Sequence, residues 1–431
     1  LKKHFIIQFC LILNLENHFK DRFLMQEIIP FSPPRIDDEI IKEVNAALLS
    51  GWITTGPRTK LFEKRIAEFC QVPNVLCLNS ATAGLELMLR WFGVKEGDEV
   101  ILPAYTYAAT ANVIVHCGAK PVFVDINDDF NISIDAIRKA ITHRTKVIMP
   151  VDLAGFPCDY DEINELVASP EIMSKFKAES DIQNMLNRIL ILSDAAHSVG
   201  AIYKGKKTGS LTDISVFSFH AVKNLTTAEG GAVCLNLPSP FNNEDVYKHL
   251  CIKSLHGQSK DALAKMQLGN WKYDIVEAGY KFNMTDLQAA IGLVELSRYE
   301  NDMLVRRKQI FDLYNQILSK HEFAIIPEYE TTDKVSSYHV FPLRLKNVTE
   351  AQRDMVMQGV FARNVTVNVH FIPVPMMSFY KQMGYSIENY PNAYKNFACE
   401  ISLPVYYTLT DLQVERVANA IIESYYELMS K

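Results

Sequence analysis

Seven short apolar runs recur through the middle of this chain, and they restrict its fold more than any other feature. They fall at 75–78, 99–102, 121–124, 146–150, 189–192, 214–217 and 232–235. Each is too short for an independent helix and shows little polar alternation. That is the signature of a strand covered on both faces. Helix-like stretches, such as 84–91 and 134–141, fill several gaps, and two more at 34–49 and 59–69 precede the first run. Short apolar strands alternating with helices predict an α/β domain around a mostly parallel sheet. Residues 170–188 are charged and helix-prone, and read as an elaborated crossover.

The pattern changes at Thr285. With Gln288 three residues later it forms a capping-box signature, so a long helix should run to about Lys320. Strand-like runs follow at 338–345 and 366–371, then an amphipathic helix from Asp411. We expect a large domain over 25–284 and a smaller C-terminal α+β domain over 285–431 that begins with the long helix. Residues 1–24 stand apart. Lys2 and Lys3 precede an apolar run at 5–15, interrupted by Gln8 and Asn14. It is too short to span a membrane and lacks a small-residue cleavage site. The expectation is a non-native or disordered extension, with Met25 as the natural start.

Charge and cysteine usage exclude some functions. Lysine and arginine total 44 against 50 aspartate and glutamate, a net charge of −6. No global basic field draws nucleic acid, so an anionic ligand must be held by a local site. The eight cysteines form no C-x-x-C pair, as expected of reduced thiols in a cytoplasmic protein. No further stretch reads as membrane-spanning. Gly200 and Gly205-Lys206 approach a P-loop, but Lys207 stands where Ser or Thr would hold the metal. No dinucleotide fingerprint, nucleophile elbow or zinc spacing is present, and no metal is expected.

Three segments carry chemistry. Asn79-Ser80-Ala81-Thr82-Ala83-Gly84 follows a strand and opens a helix. Small residues there let a ligand approach free N–H groups at a helix N-terminus, which suits a phosphate monoester, although a plain helix cap reads the same way. Asp194, in Ser193-Asp194-Ala195-Ala196-His197, follows a buried strand. An Asp at a strand's carboxyl end can keep a pyridinium nitrogen protonated, or simply cap a helix. Lys223, in Phe217-Ser218-Phe219-His220-Ala221-Val222-Lys223, lies just past another strand among aromatic and small residues. A desolvated lysine loses its proton readily and can form a Schiff base, and Ser218 can add a phosphate hydrogen bond.

Together with Gly51-Trp52-Ile53-Thr54-Thr55-Gly56-Pro57, Ala228-Glu229-Gly230-Gly231 and Gly279-Tyr280-Lys281-Phe282-Asn283, these segments resemble one family. It is the fold-type-I, pyridoxal 5′-phosphate-dependent nucleotide-sugar aminotransferases. Several of the motifs resemble the branch that makes UDP-4-amino-4-deoxy-L-arabinose. The resemblance implies a seven-stranded sheet and roles by position. Lys223 would form the internal aldimine, Asp194 would pair with the pyridine nitrogen, and His197 would lie near the ring. Tyr107 would stack on the ring, and Ser80, Ala81, Thr82 and Ser218 would hold the phosphate. The family works as a homodimer, so Lys281 and Asn283 would complete the partner subunit's phosphate site. Thr54 and Thr55 would line the sugar pocket. Lys253, His256 and His370 would be cationic partners of the nucleotide diphosphate.

The implied reaction takes an amino group from glutamate, leaving 2-oxoglutarate and pyridoxamine phosphate, and passes it to a keto sugar. Asp152 stands where a His is common in the family, near the expected rim of the site. Sugar dehydratases of this fold typically carry His in place of the lysine, and Lys223 argues against that alternative. A ligand-sensing homologue would bring a DNA-binding domain, of which the sequence shows no sign.

Overall fold

The computed structural model describes residues 27–260 and 272–430. The expectations for 1–24 and Met25 lie outside the described residues. All seven apolar runs are strands of one sheet: β1 Asn74–Leu78, β2 Glu99–Pro103, β3 Lys120–Val124, β4 Thr145–Ile148, β5 Leu190–Asp194, β6 Ile214–Ser218 and β7 Gly231–Leu235. Their spatial order is β1-β7-β6-β5-β4-β2-β3. Every neighbouring pair is parallel except those involving β7, which runs antiparallel to both β1 and β6. The expected mostly parallel, seven-stranded α/β sheet is what the chain forms.

The strands are largely apolar because both faces are covered. Leu78, Leu102, Val147, Leu192, Val216 and Val233 pack on one side with Leu85 and Met88 from the helix Ala81–Trp91. Cys77, Phe217, Ala232 and Cys234, with Ile101, Ile148 and Ile191 further along, face helices on the other side. Gly84 lets the helix Ala81–Trp91 lie flat on the sheet. A Cβ there would come within 2.9 Å of Val216 Cγ1 and 3.0 Å of Val233 Cγ2.

A further apolar cluster gathers Ile310, Phe311, Tyr314, Leu343, Ile401, Val417 and Ile421. Its three-stranded antiparallel sheet comprises Ala324–Ile325, Phe341–Leu345 and Glu400–Leu403. It is backed by helices Leu304–Leu318, Glu350–Ala362 and Asp411–Met429.

Several boundaries differ from the sequence reading. Among the described residues the first helix begins at Asp38, capped by the Asp37 side chain, because Pro33 and Pro34 hold the preceding backbone extended. The Thr285–Gln288 capping box is present, but the helix it opens ends at Ser297. A π-helical turn, Tyr299–Met303, separates it from Leu304–Leu318. Residues 366–371 do not form a strand. They carry one isolated bridge, between Asn368 and Ser402, and the Thr366 N–H donates to the Ile29 carbonyl at 3.0 Å.

Asp286 fastens the loop before the sheet. Fully buried, it accepts hydrogen bonds from the N–H groups of Gly56 (2.8 Å), Arg58 (3.1 Å) and Thr59 (2.9 Å) and from Thr59 Oγ1 (2.7 Å). Asp286→Ala would leave these donors without a partner. The expected cost is about 3 kcal/mol, read as a lower urea midpoint. An unfolding curve that overlays the wild type would show that water replaces the carboxylate.

Candidate active site

The carboxyl ends of the parallel strands meet at one edge of the sheet, and the loops leaving them line a cavity of about 560 Å³. β1 leads to Ser80, β2 to Tyr107, β5 to Asp194 and β6 to Ser218 and Lys223. His197 and His370 also line the cavity, as do Ala81 and Thr82.

At the end of β1, Ser80 caps the helix Ala81–Trp91 by accepting from the Ala83 N–H at 3.0 Å. The other first-turn N–H groups have no intrahelical acceptor, so they present an anion site. Gly231, the first residue of β7, lets that strand pack directly on the start of this helix. A Cβ on it would stand 2.4 Å from Ala81 N and 2.5 Å from the Ser80 carbonyl carbon. Ser218 Oγ lies on the same wall.

Asp194 ends β5 and is buried. Its Oδ2 accepts from Thr110 Oγ1 at 2.8 Å, and its Oδ1 accepts from the Ala196 N–H at 3.2 Å. Because Thr110 gives its proton to Asp194, it receives one from Thr106 at 2.8 Å. Burial raises the carboxyl's pKa, while these hydrogen bonds and the nearby Lys223 oppose the shift. The result is a carboxylate more basic than usual, suited to sharing a proton with an aromatic nitrogen.

Lys223 sits in a turn closed by its own N–H to the His220 carbonyl at 2.9 Å. Burial lowers its pKa to about 8, with Asp194 acting in the other direction.

Three histidines surround this pair. His197 Nδ1 accepts from the Ala154 N–H at 3.3 Å, which places its proton on Nε2. The His339 ring lies 4.3 Å away, its Nδ1 2.7 Å from Asn224 Oδ1. The Asn224 amide in turn donates to the Ser337 carbonyl at 2.7 Å. Burial pushes the pKa of His197 and of His339 well down, and that of His370 to about 3. All three are therefore neutral. His370 faces the cavity as a hydrogen-bonding ring, not as the cation expected beside a diphosphate. Tyr107 is 62% exposed, open to a ligand, with its ring 5.5 Å from that of Phe371.

The remaining candidates do not line the cavity of their own chain. Thr54 and Thr55 lie on the loop that Asp286 secures. Thr55 Oγ1 donates to the Met284 carbonyl (2.5 Å) and accepts from Asn283 Nδ2 (2.6 Å). Lys253 is paired with Glu277 at 2.7 Å. His256 occupies a left-handed turn position, and its N–H donates to the Tyr280 carbonyl at 2.7 Å. The Lys281 carbonyl and Asn283 run beside β1, where Asn79 donates to Lys281 O at 3.3 Å and Leu78 bridges to Asn283.

Asp152 departs from expectation as well. It does not reach the cavity rim. Its buried carboxylate accepts from the Cys158 N–H (3.0 Å), Tyr160 OH (2.6 Å) and Ser198 Oγ (2.6 Å). Side chains alternate along extended backbone, so its neighbour Val151 lines the cavity instead.

Sequence reasoning missed several residues of the wall: Phe31, Thr106, Thr110, His339 and Phe371. Thr110 was detectable, because on a helix opening after Tyr107 it lies one turn from Thr106. His339 carried no local signal.

A poised lysine, a buried carboxylate and an anion cradle at the carboxyl edge of a parallel sheet define an enzyme of the lysine–carbonyl type. Residues 34–422 match the DegT/DnrJ/EryC1/StrS aminotransferase family, and the chain belongs to that family. It is similar to the spore coat polysaccharide biosynthesis protein SpsC of Bacillus subtilis, 36% identical over 91% of this chain and 96% of SpsC. The putative sugar aminotransferase Spr1654 from Streptococcus pneumoniae, solved in a PMP form, superposes with a TM-score of 0.89 at 46% identity. That match covers 93% of this chain and all of the other (100%). PseC of Helicobacter pylori, an aminotransferase involved in pseudoaminic acid biosynthesis, gives a TM-score of 0.81 at 28% identity, covering 93% and 100%.

The lowered lysine pKa has a pH signature. Below about 8 the Lys223 amine is protonated and unreactive; above it the amine is free to attack a carbonyl. The rate at which apoprotein develops a near-visible absorbance band with pyridoxal phosphate should rise through a midpoint near pH 8. Lys223→Arg should develop no band. A midpoint near that of a solvated lysine, at about 10.4, would contradict the burial argument.

Proposed function

We propose that this enzyme transfers an amino group from glutamate to the keto group, at C4, of a UDP-linked keto sugar. The observation that carries this reading is the convergence of Lys223, Asp194 and the Ser80–Thr82 cradle on one cavity. These residues fit pyridoxal 5′-phosphate. The Ser80–Thr82 cradle suits its phosphate, Asp194 its ring nitrogen and Lys223 its aldehyde. When bound, the cofactor would supply an electron sink and carry the amino group between the two substrates.

The chain's own residues divide the remaining work. Lys223 Nζ would take a proton from the α-carbon of glutamate and return it two bonds away, at the cofactor carbon on the other side of the transferred nitrogen, and would then work in reverse on the sugar. Its pKa near 8 allows both directions at neutral pH. Asp194, fixed by Thr110, holds the ring-nitrogen proton. His197, neutral and with its proton on Nε2, offers a donor without adding charge. Tyr107 provides an exposed aromatic face for stacking.

A homodimer completes this picture. Lys281 and Asn283, away from their own cavity, reach the phosphate site of the partner subunit. Thr54, Thr55, Lys253 and His256 border the entrance that the nucleotide crosses. The sugar product feeds a cell-surface polysaccharide or lipid, a reading supported by the kinship to SpsC. No described helix is long and apolar enough to cross a membrane, which accords with a cytoplasmic enzyme acting before export.

The test begins with absorbance. Glutamate should shift the near-visible band of the cofactor-loaded protein to shorter wavelength, and a panel of UDP- and dTDP-keto sugars should restore it. Steady-state rates with the productive sugar should give parallel double-reciprocal lines, as ping-pong exchange requires. Normal turnover by Lys223→Ala would overturn the mechanism. A band that glutamate leaves unmoved would exclude glutamate as donor.

A further inference from the structure

His370 enters the cavity from the C-terminal part of the chain and is held by a hydrogen-bonded series that the reaction scheme does not use. Its Nδ1 lies 2.9 Å from Ser402 Oγ. Ser402 Oγ is hydrogen-bonded to Glu400 Oε1, and the other carboxyl oxygen, Oε2, accepts from the His370 backbone N–H at 3.1 Å. Glu400 and Ser402 are fully buried on the strand Glu400–Leu403. The His370 ring is stacked against Phe31 at 5.4 Å, and among the described residues its Nε2 has no protein hydrogen-bond partner. Nε2 is therefore the ring nitrogen left for a ligand.

A serine hydroxyl has one proton, so this series is directional. With Glu400 ionised, Ser402 donates to Glu400 and must accept from His370 Nδ1–H. Nε2 then carries a lone pair. With Glu400 protonated, the acid donates to Ser402, which donates to Nδ1, and the ring proton moves to Nε2. The proton on Glu400 thus decides whether the cavity sees an acceptor or a donor.

We propose that Glu400, acting through Ser402, is a positioning residue that fixes the orientation and tautomer of His370. Nε2 thereby becomes a defined hydrogen-bond partner for a hydroxyl of the sugar substrate. The sugar part of this assignment rests on the aminotransferase reading above; the relay itself does not.

The surroundings favour a relay that switches in the working range. Burial raises the Glu400 pKa to about 8, against the pull of Ser402, the His370 N–H, Arg353 and Arg344. Arg353 comes from the helix Glu350–Ala362 and Arg344 from the strand Phe341–Leu345. Tyr105 and Cys399 also face Glu400, and burial raises the pKa of both, so neither adds a negative charge near neutral pH. Around His370 stand Lys223, His197 and His339. Burial keeps His370 neutral down to about pH 3, so what changes near pH 8 is its tautomer and not its charge.

The relay can be read in the full-length protein without any sugar. Nitrogen-15 NMR of histidine-labelled protein distinguishes protonated from bare ring nitrogens, and the His370 signals are those missing from His370→Gln. The proton should lie on Nε2 below pH 8 and on Nδ1 above it. In Glu400→Gln the carbonyl oxygen should take the place of Oε2 and the amide should donate to Ser402, locking the proton on Nε2 at every pH. Ser402→Ala should uncouple the ring, and it serves as the second variant if Glu400→Gln does not fold. A His370 tautomer indifferent to pH, or a swap that persists in Glu400→Gln, would overturn the proposal.

Turnover separates the two readings. Lys223 ionises in the same range, so the two proteins are compared: with a productive keto sugar, the ratio of kcat/KM for the sugar between wild type and Glu400→Gln, in which the shared Lys223 ionisation cancels, should change through pH 8. If that ratio is flat across pH 8, the assignment of Nε2 to the sugar is wrong. A tautomer swap in a protein that aminates no keto sugar would sink the substrate reading and leave the relay standing.

Discussion

Asp194 is an ionisable group placed where water cannot solvate it, and much of the active-site wall exists to make that placement tolerable. Removing a carboxylate from water costs several kcal/mol unless donors replace the lost solvent. Here the donors are Thr110, one turn into the helix after Tyr107, and the backbone after Asp194 itself. Below it, Asp152 ties the loop after β4 to the turn that follows β5, so neither can shift alone. The position of Lys223 depends on the same arrangement. Its desolvation lowers its pKa, and the nearby carboxylate limits how far that goes.

The charge pattern within the cavity follows from burial rather than composition. His197, His339 and His370 are all neutral, so none competes with Lys223 for Asp194 or draws an anion away from the cradle. Attraction for a phosphate comes instead from backbone N–H groups at the start of the helix Ala81–Trp91. The start of that helix can pack this closely on β7 because Gly231 lacks a side chain. A diphosphate must therefore find its counter-charges outside this wall.

The sheet could be read from the sequence because burial on both faces leaves uninterrupted apolar runs, a pattern few other environments produce. Lys223, Asp194 and the Ser80 turn were legible because each directly follows such a run. Residues brought in by tertiary folding were not. His339 joins the wall from the start of the run read as a strand at 338–345, where nothing marks it as facing a cavity, Phe31 comes from a segment with no periodicity of its own, and Glu400 sits in a strand where a carboxylate contradicts the pattern. The run at 366–371 looked like a strand because its apolar residues alternate. It carries one isolated bridge and then leaves the sheet to deliver His370 to the cavity. The long helix after Thr285 was misjudged because helix periodicity does not register a π-helical turn at Tyr299–Met303.

Asn224 immediately follows the lysine, and its side chain is bonded to Ser337 and His339, more than a hundred residues further along. During synthesis the sheet strands and Lys223 are all made before those partners exist. The lysine's turn can be stitched down only once the chain has grown past 339. Competence for chemistry is thus a late property of this molecule. A nascent or truncated chain that ends before Ser337 lacks the partners that pin the loop bearing its reactive amine.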